Sequence, residues 1–328
     1  VDCFEAQKKA LKQAKKFIFM EYHAIEDAQS FAGMKSILFE KAKEGVEVRL
    51  IYDDVGCITT LPNNFYKELQ KIGIKCAAFN PLRARLAVIM NNRDHRKILV
   101  IDGNVAFTGG INIADEYINE IERFGYWKDT GIRMKGAAVW SFTCMFLEMW
   151  NAIKKTDTDY TAYFPEITYT AKQTGYVQPY ADNPLDDEHT GENVYMNVLN
   201  SAREYAYFIT PYLLISDEMK KAFTLAARRV DVRIITPGIP DKKFVYQATR
   251  SYYNRLVKKG VRIFEYTPGF CHAKQCVSDD KAAVVGTINL DYRSLYHHFE
   301  NAAAFYHKDA VAGVKADFDH LFEECHEV

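Results

Sequence analysis

The sequence predicts an α/β protein made of two similar halves. Each half is a mixed sheet flanked by helices, and the pair packs with pseudo-twofold symmetry around one active site. Three observations point this way. The pattern His-x-Lys-x-x-x-x-Asp occurs twice, as His95, Lys97 and Asp102, and again as His272, Lys274 and Asp279. Each copy is followed, after six further residues, by Gly-x-x-Asn, ending at Asn112 and Asn289. Helix-period and strand-like stretches also recur in the same order on either side of the middle of the chain. One short motif is weak evidence, because such patterns arise by chance. Two copies with the same trailing segment are not.

The elements follow in order. A helix-like stretch, Phe4 to Lys16, leads into the strand-like Phe17-Ile18-Phe19-Met20-Glu21-Tyr22. Its counterpart is Tyr205-Ala206-Tyr207-Phe208-Ile209-Thr210, after Ala202-Arg203-Glu204. Gly45 to Ile51 is echoed by Val230 to Ile235, and Lys71 to Lys75 by Lys259 to Ile263. Apolar residues at three- and four-residue intervals predict helices over 32–43, 65–71, 218–228 and 244–258. Each motif is read as a strand hairpin. Ile98 to Ile101 turns at Asp102-Gly103-Asn104 and returns as Val105 to Thr108, while Gln275 to Ser278 turns at Asp279-Asp280 and returns as Ala282 to Val285. Strand alternation would set His95 and Lys97 on one face, and likewise His272 and Lys274. Thr156 to Gly191 is rich in Thr, Asp, Pro and Tyr, shows no sustained period, and reads as a connector. The boundary is therefore placed near residue 170, with one half over 1–170 and the other over 171–328.

Bulk properties narrow the class. The 328 residues suffice for one large domain or two of ordinary size, with a sizeable core. With 42 Lys+Arg against 43 Asp+Glu, the net charge of −1 disfavours nonspecific nucleic-acid binding. The 7 Cys are odd in number and follow no zinc-ligand spacing, so they read as thiols of a reducing compartment. The most apolar stretch, Ala137 to Ile153, contains Glu148 and falls short of the ~20 residues that span a bilayer. Trp140, Phe142, Phe146 and Trp150 within it are expected to face a core. No signal peptide is visible, and the opening on a helix is compatible with removal of an upstream segment.

Two imidazoles, two ammonium groups and two amides suit attack on a phosphodiester. One neutral His attacks phosphorus and a second, protonated His serves the leaving oxygen. Lys97, Lys274, Asn112 and Asn289 would hold the non-bridging oxygens. This inventory needs no metal or other cofactor. Asp102 and Asp279 fall at turns, where Asp is favoured for backbone reasons. Carboxylates beyond the motifs are better placed to orient the rings: Asp129, 34 residues after His95, and Glu300, 28 after His272. His297 and His298 read as polar loop residues, and His23, His189, His307, His320 and His326 as structural. Arg83, Arg85, Arg93 and Arg96 form a basic run, either a solvated loop or an attractor for an anionic headgroup.

Both motifs resemble the HKD signature of the phospholipase D superfamily, over nearly the whole chain. The phrases Asn92 to Ile98, Gly109 to Ile113, Trp127 to Thr130, Thr210-Pro211-Tyr212 and Gly286 to Ser294 are similar to those of bacterial cardiolipin synthases. The resemblance implies a transferase of phospholipid biosynthesis at the bacterial cytoplasmic membrane. It implies a catalytic set of His95, Lys97, Asp102, His272, Lys274 and Asp279, with His95 often the nucleophile and His272 the acid, although pseudo-symmetry fits either ring to either role. Two phosphatidylglycerol molecules would yield cardiolipin and glycerol through a phosphohistidine. The alternative is hydrolysis of the same intermediate by water. A nuclease is disfavoured by charge, and a lipid-binding scaffold by the completeness of both motifs. Partners implied are the phospholipid and a membrane surface. Such synthases usually begin with membrane-spanning segments, which this chain lacks. A bulkier apolar residue is also expected where Cys271 stands.

Overall fold

The computed structural model describes residues 2–82, 88–167, 169, 174–306 and 308–328. The chain divides into two compact units, Val1–Ile121 with Gly131–Lys172, and Glu122–Thr130 with Gln173–Val328. The nine residues 122–130 thus leave the first unit and join the second. A boundary near 170 falls among residues outside the described set (168 and 170–173).

The first unit holds one sheet in the order Lys75–Phe79, Glu47–Asp53, Phe17–Tyr22, Lys97–Ile101, Val105–Gly109, Gly131–Lys135. The first three strands are parallel and the remaining pairings antiparallel. Phe17–Tyr22 is central and buried along its length. Its alternation serves two layers. Ile18, Met20 and Tyr22 join Phe31, Met34 and Leu38 of the helix Gln29–Lys43. Phe19 stacks on Phe146 of the helix Val139–Lys154, with ring centroids 4.5 Å apart. Truncating a ring so enclosed costs about 3–5 kcal/mol. Phe142, Phe146 and Trp150 face this layer as expected, while Trp140 is only half-buried, edge-on to Phe164.

The second unit repeats the plan. Tyr205–Ile209 lies parallel to Asp231–Pro237, which is parallel to Arg262–Tyr266, and antiparallel to Gln275–Ser278 of the motif hairpin. Beyond come Ala282–Gly286, His298–Phe305 and Val177–Asp182. This last strand lies inside the stretch read as a connector. Its mostly exposed or half-buried pattern, on a strand paired only with His298–Phe305 in that sheet, explains why no period was visible. The repeat extends to detail. Arg49 lies under Phe19, Trp150 and Tyr163 and pairs with Glu47. Arg233 lies under Tyr207, Phe264 and Phe322 and pairs with Asp231.

The first helix ends at Lys12, short of the expected Lys16. The cause is Asp102. Its carboxylate accepts the backbone N–H of Lys15, Lys16 and Phe17 at 2.8, 2.7 and 2.9 Å, drawing the chain out of helix and into the strand. Asp279 does the same for Arg203, Glu204 and Tyr205 at 2.7, 2.9 and 3.0 Å. Both motif Asp residues have φ of 53°, and so does Asp280, while Gly103 has 65°. Two left-handed residues in succession make the tight turn within each three-residue loop, which joins the paired Ile101 and Val105 and the paired Ser278 and Ala282, and Asp and Gly tolerate that conformation. The seven cysteines are all free thiols. No helix among the described residues is long and apolar enough to cross a membrane.

Candidate active site

His272 is positioned by two short strands. Tyr126–Lys128 pairs in parallel with Gly269–Cys271, setting Lys128 opposite Cys271. The next residues are therefore neighbours: His272 donates its backbone N–H to the Lys128 carbonyl at 2.7 Å, and its Nδ1 lies 2.8 Å from Asp129 Oδ2. Phe270 and Trp127 flank the ring, at centroid distances of 6.0 and 5.4 Å. Cys271 is fully buried behind it, and burial pushes its thiol well above the usual range.

Lys274 Nζ reaches the His272 carbonyl oxygen and also stands 2.9 Å from Nδ1. Nδ1 cannot both donate to Asp129 and accept from Lys274. The carboxylate accepts only, so the ring proton belongs on Nδ1 and points at Asp129, leaving Nε2 for chemistry. The carbonyl accepts one of the three Lys274 ammonium protons. Burial lowers its pKa to about 8, against the opposing pull of Asp129, Glu300 and Asp291.

In the first unit, His95 is carried on a pinned segment. Arg93 grips Asp53 through Nε and Nη2 at 2.9–3.1 Å, and the Asp94 N–H bonds the same carboxylate. Arg96 Nε bonds Glu21 at 2.7 Å. Burial raises Asp53 to about 6 and holds Glu21 well above the carboxylate range, in each case against the neighbouring arginine. Arg93 and Arg96 are thus buried structural cations, neither solvated nor open to a headgroup. Arg83 and Arg85 lie outside the described residues, as does His307. Lys97 Nζ bonds the His95 carbonyl at 2.6 Å.

Strand alternation is not what sets the His–Lys pairs. Lys97 begins its strand and His95 precedes it, while His272 and Lys274 both precede Gln275. Each His–Lys pair sits where the backbone enters the sheet, and the Lys folds back onto the His carbonyl. Asn112 Oδ1 accepts from the Ala24 N–H at 3.1 Å and Nδ2 donates to the Tyr117 hydroxyl at 2.7 Å. Asn289 accepts no bond at its buried Oδ1 among the described residues. Its backbone N–H donates to Ser294 Oγ at 2.8 Å.

Asp129 does not serve the first motif, as its offset from His95 suggested: it belongs to the second unit and contacts His272. Glu300 is buried and accepts the hydroxyls of Thr287 and Ser294. His298 is no loop residue. It opens the strand His298–Phe305, with Nδ1 3.7 Å from Glu300 Oε1. His23, taken as merely structural, stands edge-on to His95 at 4.8 Å, with Nδ1 2.8 Å from the Asp94 carbonyl. Gly56 makes room for it, since a Cβ there would lie 2.2 Å from the His23 carbonyl oxygen and 2.9 Å from its ring. The signal available beforehand was position alone: His23 directly follows a central parallel strand, where ligand sites gather.

Two units of one plan, each bringing His and Lys to the mouth of the same strand, define a phospholipase D-like fold. The family described as cardiolipin synthase, PLD-like domain, matches residues 8–123 and 195–322, and the chain belongs to it. An uncharacterized protein of Streptococcus mutans is 51% identical over 99% of this chain and 70% of its own length. Cardiolipin synthase 2 of Bacillus anthracis is 37% identical over all of this chain and 64% of its own. A cardiolipin synthase of Alkalihalophilus pseudofirmus is 36% identical over 97% and 64%. The chain thus spans roughly two thirds of the length of these relatives. The crystal structure of phosphatidylserine synthase from Haemophilus influenzae superposes with a TM-score of 0.74 at 15% identity, covering all of this chain and 85% of that one, a likeness of fold.

Proposed function

We propose that this chain is the catalytic portion of a cardiolipin synthase-type phosphatidyl transferase, with phosphatidylglycerol as donor and acceptor. The observation that supports the reading is the His272–Asp129 contact, which favours a proton on Nδ1 and leaves Nε2 available for chemistry, in this reading proton transfer. In this reading the two motifs serve one reaction centre, without a metal or other cofactor. His95 attacks phosphorus of the first phosphatidylglycerol. The phosphorus–nitrogen bond forms, the bond to the glycerol oxygen breaks, and His272 gives that oxygen its proton. A second phosphatidylglycerol then returns a proton to His272 as its hydroxyl attacks, releasing cardiolipin and neutral His95. Lys97, Lys274 and the two Asn amides stabilise charge on the non-bridging oxygens.

The test is product analysis after incubation with labelled phosphatidylglycerol in mixed lipid vesicles. The transferase reading expects cardiolipin and glycerol in equal amounts, undiminished by a chelator. Phosphatidic acid as the sole lipid product would replace it with hydrolysis.

A further inference from the structure

The second unit carries a surface for which the reaction has no use. The helix Lys243–Val257 buries Thr249, Tyr253 and Leu256. Its outward face presents Lys243, Gln247, Arg250, Asn254 and Arg255 to solvent. From 242 to 259 the chain has six Lys and Arg and no Asp or Glu, in a protein of net charge −1. Lys242 pairs with the preceding Asp241 at 3.8 Å and Arg250 with Glu265 at 3.4 Å, while Lys243, Arg255, Lys258 and Lys259 are exposed. At the front of this helix Phe244 is 85% exposed, the most exposed large apolar side chain among the described residues. Ile239, just before it, is 39% exposed, and Tyr126 is 54% exposed. These two are neighbours, because a Cβ on Gly125 would meet Ile239 Cδ1 at 3.1 Å.

This surface adjoins the His272 side of the site. Ile239 donates its N–H to the Gly269 carbonyl at 3.3 Å, and Tyr212 bonds Asp241 at 2.5 Å. The Tyr212 ring stands 6.3 Å from Phe270, which flanks His272. Exposed aromatic and aliphatic side chains beside a run of cations suit one partner: apolar tips enter the acyl region while ammonium and guanidinium groups meet lipid phosphates. A nucleic acid would use the cations and leave Phe244 and Ile239 in water.

We infer that residues 239–259 form a docking surface for an anionic phospholipid bilayer, which brings the rim of the His272 side of the site to the headgroup layer. This rests on the phospholipid reading of the site. The test is sedimentation of the 328-residue chain with phosphatidylcholine vesicles, with and without phosphatidylserine. The chain should bind the anionic vesicles, bind pure phosphatidylcholine far less, and lose binding in 1 M salt, where the Debye length is about 3 Å. Phe244→Ser should weaken partition about tenfold, and Lys243→Glu with Arg255→Glu at least twentyfold, from about fivefold per surface charge. Turnover of short-chain phosphatidylglycerol dispersed as monomers should not change in either variant. Partition of the variants equal to that of the parent would overturn the assignment, as would equal binding to neutral vesicles, or tighter retention of a DNA duplex by the same residues. Vesicle binding without any lipid product would instead remove the transferase reading and leave this surface standing.

Discussion

Lys274 shows how little of a site's chemistry its residue types convey. The sequence supplies a lysine two residues after a histidine. The fold adds burial, which brings its pKa to about 8. The ammonium that would hold phosphoryl oxygens is then present below that pH and lost above it. Turnover should therefore fall as pH rises through about 8, and the limb should vanish in Lys274→Arg, whose guanidinium keeps its charge. A rate that stays flat to pH 10 in the unsubstituted chain would mean that charge at Lys274 plays no part in catalysis. The histidines divide in the same way. His95 and His272 were legible because their motif is duplicated. His23 was not, because nothing in one sequence distinguishes a histidine that packs on the ring of a motif histidine from any other at a strand end. Asp129 was legible as a carboxylate with a task, but not as the partner of His272. That assignment depends on a nine-residue excursion of the chain, 122–130, into the other unit.

At the level of elements, the motif hairpins do more than carry the motif His and Lys. Asp102 and Asp279 each tie a tight turn to the start of a central strand by three backbone N–H bonds. Burial alone would raise the Asp279 carboxyl, but these N–H donors hold it below its usual range. A depressed folded pKa contributes stability that is present above about pH 4 and is lost as pH falls through the lowered value. Asp279→Ala should cost about 2–4 kcal/mol, from lost bonds to a charged acceptor and a left-handed φ that alanine resists. Urea denaturation at pH 7 and at pH 3 checks this. The gap between variant and parent should narrow in acid, and an unchanged midpoint at pH 7 would show the turn to be indifferent to Asp279. The hairpins and central strands were readable from alternation and turn residues. Val177–Asp182 was not, because a half-exposed edge strand carries no clean period. The end of the first helix was missed because the cause, Asp102, lies 86 residues from Lys16.

For the whole molecule, duplication is the organising fact. Both units place a parallel strand trio beside an antiparallel motif hairpin. That much could be foreseen from the repeat of the motifs and of the strands before them. The surface proposed to dock on a bilayer could not, since Phe244 and its neighbouring cations are ordinary helix residues until the fold shows them exposed together. The central claim is that His95 carries the phosphatidyl group while His272 moves the proton. It is tested most directly by trapping the intermediate. The His272→Ala variant, incubated with phosphatidylglycerol and read by intact-protein and peptide mass spectrometry at neutral pH, should accumulate one phosphatidyl group on the peptide containing His95. The same adduct on His272 in a His95→Ala variant, with none on His95, would contradict the assignment, and lipid turnover by either variant at the rate of the parent would contradict the mechanism.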